Sequence, residues 1–460
     1  MSDTTFAVFV LLLTAPLAFA LSYRNILAQF RFLTIPGALY FLYILLVAAP
    51  AYAVFFGEEG QPARRTFLLA SESVLVTLAW GVRLAHKSKE ETIQNCQQIS
   101  QQGRQLIVLG PNPDRLRGFC NIGLAVAATS VAAYLMVVET VPLFELLKAD
   151  QTSAHAYALL REDSFKLLPL PVYAYFETIR MIFLPMLSMV GLGMYLATKL
   201  RKWLIHFTLS AMLTFFFSAL SLAKAPPLIF LVMCGTYWFL ARGSRIPVWG
   251  FVLILAVGAI FPVYIANATA GNSAPEASDV LVTMQDLLFR RFLYLNAELL
   301  YYHFDIFPAA HHFLWGQSIR LVSWISAQPA FLLPNYVYLD VWGNLPEALD
   351  SGWANTVFLG GLWADFGWLG VLIGPVLIGY YLQKFQSFVL KLGKNVIGVT
   401  CHVILLTAAA YISMNSATGL GFLGIVVCTY IFARVMHGAM QGEEQFRFAH
   451  LNAYWSRPSF

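Results

Sequence analysis

Apolar stretches of roughly 20 residues, each closed by charged or turn-forming residues, follow one another along nearly the whole chain. They run approximately over 6–21, 32–56, 67–80, 119–138, 181–198, 203–222, 226–241, 247–265, 368–382, 396–413 and 419–433. Such segments can cross a hydrocarbon core about 30 Å thick, and backbone amides in lipid must be bonded within their own segment, so helices are predicted. The expectation is an all-α polytopic membrane protein of about 11 transmembrane helices, forming a single integral membrane domain over residues 1–460.

Composition agrees with that pattern. With 59% hydrophobic and 12% charged residues, the chain is too apolar for a soluble enzyme. The formal charge of +5 reports orientation and gives no support for a nucleic-acid partner. Cys96, Cys120, Cys234, Cys401 and Cys428 fall in apolar spans or predicted cytoplasmic stretches, where reduced thiols are expected. Ala18-Phe19-Ala20 has the form of a signal-peptide cleavage site, but no basic region precedes it, which favours a retained first span.

Basic residues choose the sides. Arg24 and Arg31, the stretch from Arg83 to Arg117, Lys199 with Arg201 and Lys202, Arg242 with Arg245, and Lys384 with Lys391 and Lys394 share one face, read as cytoplasmic. Residues 84–117 then form a cytoplasmic loop and 436–460 a cytoplasmic tail. Two extracytoplasmic segments remain, 139–180 and the large loop 267–367 between the eighth and ninth spans.

Those outer segments carry cations that run against the orienting rule: Arg161, Arg180, Lys224, Arg290, Arg291 and Arg320. An anionic ligand at the outer face is the simplest reason for them, although a lone Arg at a helix end also snorkels to lipid headgroups. The large loop is rich in aromatics from Phe292 to Trp342, which suits helices lying at the interface. Stacking on sugar rings and an interfacial aromatic belt both account for this richness.

The order of small and polar residues in the loop is informative. Gly316-Gln317-Ser318-Ile319-Arg320 is followed by Leu333-Pro334, by Ser351-Gly352-Trp353-Ala354-Asn355-Thr356, and by Phe366-Gly367-Trp368-Leu369-Gly370 entering a span. Upstream, Arg180 precedes Pro185, and Lys224 follows Ser221 and Ala223 between two spans. This ordered set resembles the O-antigen polymerase family, the repeat-unit polymerases of bacterial surface polysaccharides. At Lys224 the chain departs from the family's Arg-bearing turn, and Lys lacks the bidentate fork of Arg.

The resemblance implies an architecture similar to the GT-C-type glycosyltransferases in the bacterial inner membrane, with the active face periplasmic. It implies transfer of a growing glycan from undecaprenyl pyrophosphate onto another carrier-linked repeat unit, with membrane lipids around the site and a chain-length regulator and a flippase as partners. An O-antigen ligase and a transporter of lipid-linked sugars are the alternatives. Arg290 and Arg320 would stabilise the departing pyrophosphate, with Arg161, Arg180, Lys224, Arg291, Gly316, Ser351 and Thr356 contributing to substrate binding. Guanidinium groups hold such charge without a metal, and no metal-ligand spacing or cofactor motif is present. A general base is sought among His312, Asp305, Asp340, His303, His311, Glu298 and Glu177. Glu72 stands within the third span, where an ionisable group is a functional candidate by default.

Overall fold

Among the described residues every regular element is helical, as segments that satisfy their own amides in lipid must be. The computed structural model describes residues 2–22, 26, 33–57, 61–85, 113–138, 141–144, 170–220, 225–242, 294–326, 329, 331–343, 354, 357–413 and 420–441. Seven of its helices are long and apolar enough to cross a membrane, and three shorter apolar helices accompany them. The chain is an all-α polytopic membrane protein. The apolar segment 247–265 lies outside the described residues.

The first helix, α1 (Asp3–Ser22), buries only the stripe Ala7, Val10, Thr14, Ala18 and Ser22, the spacing of one helical face. That stripe rests on α4 (Ala63–Ala85). Between them runs one rod made of α2 (Ile35–Tyr43), a π-helical turn (Ile44–Ala48) and α3 (Ala49–Gly57). After α5 (Pro113–Val137) the same construction recurs in α6 (Leu170–Thr178), a π-helical turn (Ile179–Phe183) and α7 (Leu184–Thr198). Each π turn ends two residues before a proline, Pro50 or Pro185. Proline cannot donate to the preceding turn and collides with its carbonyl, and the wider turn absorbs the misfit without breaking the rod.

The second rod starts earlier than hydropathy indicates. The sequence places Arg180 at the mouth of a span beginning near Met181, within the loop 139–180, whereas the helix already begins at Leu170. Glu177 and Arg180 form an i,i+3 ion pair of 2.6 Å, and two charges that end a hydropathy window neutralise each other on the helix.

The chain continues through α8 (Arg201–Ala219), α9 (Ala225–Ala241), α10 (Leu295–Ile306), α11 (Arg320–Ile325) and α12 (Leu333–Trp342). It ends with α13 (Phe358–Phe366), α14 (Trp368–Leu392), α15 (Val396–Ile412) and α16 (Leu420–Gln441). The principal contact of the bundle joins α4 to α14. A methyl group on Gly81 would collide with the carbonyl of Val376, and one on Gly379 with that of Leu78, so the two backbones touch. The helices run parallel: Phe67, near the start of α4, meets Phe304, which stacks on Trp363 beside Trp368, while Lys384 Nζ reaches the Ala85 carbonyl at 2.8 Å.

α13 and α14 form a tight helical hairpin turning at Gly367, whose φ of +57° is in the left-handed region. Phe358, at the start of α13, packs on Tyr43, part-way along the α2–α3 rod. α13 therefore begins inside the bundle and climbs to the turn, and its Phe358, Leu359, Gly360, Gly361, Trp363, Ala364 and Asp365 are all buried. Helices α10 and α12 close over this end of the bundle.

Candidate functional site

The last carbonyls of a helix have no partner within it. At the end of α13 the loop after α10 supplies the donors: Leu314 N–H to Ala364 O and Trp315 N–H to Asp365 O, both at 2.9 Å. The backbone then takes positive φ at Trp315 (+50°) and Gly316 (+92°), which gathers successive amides on one side. They meet the side chain of Asp365, which is fully buried. Its Oδ1 accepts from Gly316 N (3.1 Å) and Ser318 N (3.3 Å), and its Oδ2 from Ser318 Oγ (2.5 Å). Burial pushes the Asp365 pKa up, and the bonds from Ser318 and Gly316 pull it back down. The turn so held delivers the chain to Arg320, the first residue of α11.

Further links extend from this turn. Phe331 N–H donates to Gln317 O at 3.0 Å, and Ala354 N–H to Pro334 O at 2.9 Å. Gly367 leaves no room for a Cβ beside the Phe313 ring. The Gly316–Arg320 segment, the Leu333-Pro334 step, Ala354 of the Ser351–Thr356 segment and the Phe366–Gly370 entry are thus brought to one place. Next to them the His311 ring lies 5.3 Å from each of Phe307, Phe331 and Tyr336. This aromatic group has the chemistry to stack on an apolar sugar face.

The sequence-derived residues fare unevenly. Gly316 is part of the Asp365 turn, and the backbone of Arg320 follows it. His312 is exposed and Asp305 half-buried, so neither is enclosed within this turn. Arg180 is buried and paired with Glu177. The principal packing partners of its rod are α8, α15, α9 and α5, none of which belongs to the Asp365 turn. Arg161, Lys224, Arg290, Arg291, Ser351 and Thr356 lie outside the described residues.

Two features escape the sequence reading. Asp365 was signalled only by being an acid in the apolar run entering a span. Arg64 and Arg65, which the charge rule also places on the outer side, are held by Asp3: Arg64 Nη2 reaches Oδ2 at 2.5 Å and Arg65 Nη2 reaches Oδ1 at 2.9 Å. These guanidiniums tie the start of α1 to α4 and stack on Phe55 and Phe6. Glu72 is buried between α1 and α4, where Thr14 Oγ1 donates to its Oε2 at 3.3 Å. Among the described residues no group of three or more His, Cys, Asp or Glu is placed to hold a metal ion.

His303 of α10 is fully buried, and its Nδ1 lies 2.8 Å from the Leu299 carbonyl. Burial holds its pKa at about 4. Between this value and the ordinary histidine value of 6.5 the unfolded chain binds the proton that the folded chain refuses, so stability falls as pH drops through that window. From about pH 7 to about pH 5 the loss attributable to this group is ~2 kcal/mol. Thermal midpoints in detergent at the two pH values are expected to diverge less in His303→Gln than in the native chain.

In comparisons with known proteins, no family model, curated protein or solved structure matches the chain.

Proposed function

We propose that the protein is a membrane glycosyltransferase that polymerises undecaprenyl-pyrophosphate-linked oligosaccharide repeat units at the periplasmic face of the bacterial inner membrane. The observation that carries this reading is the convergence on Asp365 and its neighbours of segments whose order resembles the O-antigen polymerases. By the distribution of basic residues this end of the bundle faces the periplasm. A pinned turn ending at an arginine suits a reaction whose charge develops on a departing pyrophosphate, because donors fixed beforehand stabilise the transition state without reorganising. The neighbouring aromatic group offers a surface for the glycan, and a chain-length regulator and a flippase are the proteins expected to work beside it.

Two other readings use the same ligand chemistry. A ligase would pass the glycan to a lipid A core. A transporter would move the lipid-linked sugar intact, and the buried Glu72 of α4 is the feature that favours it.

Purified protein incubated with a defined lipid-linked repeat unit, with products resolved by size, separates the three. A polymer ladder supports the proposal, a lipid A conjugate indicates the ligase, and the absence of any covalent product overturns both enzymatic readings. Arg320→Ala and Arg290→Ala are each expected to lower polymer formation by at least ~100-fold, the scale of losing one positioned charge donor. Arg320→Lys is expected to remain impaired, because charge survives while the planar fork is lost.

A further inference from the structure

His303 presents an unusual combination. The Leu299 carbonyl can only accept, so the 2.8 Å contact assigns the ring hydrogen to Nδ1 and leaves Nε2 as a bare acceptor. Nε2 is buried and, among the described residues, has no hydrogen-bond partner. Buried acceptors without a donor are uncommon and ask for an explanation. The ring edge lies against Gly360, where a Cβ would stand 3.1 Å from Cδ2 and 3.3 Å from Nε2.

Gly360 belongs to the first turn of α13, a helix of nine residues that starts inside the bundle with no side chain capping it. The first amides of any helix have no carbonyl one turn behind them, and the helix dipole adds partial positive charge there. Gly360 N–H is taken by the Val357 carbonyl at 2.8 Å, which leaves the amides of Phe358 and Leu359 at the helix start. An acceptor nitrogen beside such donors suits a group that gives one hydrogen bond and receives another. A hydroxyl does both.

We propose that His303 Nε2 and the first turn of α13 form a hydroxyl-binding site that takes the acceptor sugar of the transfer reaction. This rests on the glycosyltransferase reading above. As the hydroxyl oxygen forms its bond to the donor's anomeric carbon, its proton passes to Nε2. The bond from that carbon to the phosphate oxygen breaks, and its electron pair leaves with the lipid pyrophosphate, which later receives the proton from the imidazolium. The partial charge of the helix start favours the oxygen as it sheds the proton.

Among the described residues no charged side chain of the neighbouring helices takes the imidazole as a partner. On α4, Arg64 is engaged by Asp3 and Glu72 by Thr14; Asp340 on α12 is exposed, and Asp365 on α13 is bound to Ser318. The acid limb of kcat/KM is therefore expected near the pKa of about 4 that burial gives this ring.

The test is the polymerisation assay with His303→Gln, whose amide can still donate to Leu299. The expected result is a fall in kcat of at least ~100-fold with KM changed by less than about threefold and the acid limb lost. Gly360→Ala keeps the base and crowds the approach to it, and is expected to lower kcat about tenfold with the acid limb intact. Native protein that forms no polymer would overturn the glycosyltransferase reading itself. Native protein that polymerises while His303→Gln retains kcat within about threefold would overturn this inference alone, leaving Nε2 the partner of a structural water. Should His303→Gln not fold, Gly360→Ala decides: unchanged kcat overturns the site.

Discussion

Gly379→Val is expected to abolish recovery of folded protein. The position lies where α14 presses on the backbone of α4, and even a methyl group there would collide with the Leu78 carbonyl. Backbone atoms cannot swing aside as a flexible side chain would, so the helices must separate along their shared length, at a cost of roughly 3–5 kcal/mol or more. Membrane proteins are only marginally stable against such a loss. Size-exclusion profiles of detergent extracts should show the folded peak replaced by aggregate. Gly424→Ala is the control: a Cβ there meets nothing within 4 Å, and its profile should match the native one.

Asp365→Ala is expected to release the turn that precedes Arg320. The change removes the acceptor for two backbone amides and one hydroxyl in a fully buried setting. Stranding such donors costs about 1–3 kcal/mol, towards the upper end where the lost partner is a carboxylate. Asp365→Asn keeps one oxygen for Gly316 and Ser318, and the Ser318 hydroxyl can rotate to accept from the new amide. Its expected cost is about 1 kcal/mol. Thermal midpoints should rank native, Asn and Ala in that order, and proteolytic cutting between Leu314 and Ser326 should increase in the Ala variant alone. Polymer formation should follow the same ranking if the turn sets the direction of Arg320.

What the sequence revealed and what it hid follow from the physics of the two solvents. Helices were legible because a continuous apolar run in lipid has no other way to satisfy its amides. The rod from Leu170 to Thr198 was read too short because hydropathy treats Glu177 and Arg180 as separate costs, whereas the folded chain pairs them. Re-entrant α13 could not be read, since its nine residues resemble the beginning of the span that follows. The order of Gly316, Leu333-Pro334, Ala354 and Gly367 was visible, but their meeting depends on Asp365, whose partners lie 47 and 49 residues earlier. Nothing local marks an acid for such a distant bond. Cations were judged by side of the membrane alone, and Asp3 shows why that is insufficient: one carboxylate near the chain start occupies two outward guanidiniums.

The parallel pairing of α4 with α14 has a consequence for biogenesis. About three hundred residues must leave the ribosome after α4 before its main partner exists, a separation far beyond the neighbouring-hairpin contacts that most bundles use first. During that interval the groove at Gly81 that α14 later fills is open to lipid or the insertion machinery. Premature termination anywhere upstream of Trp368 would release a polypeptide with that groove bare, a natural mark for membrane quality control.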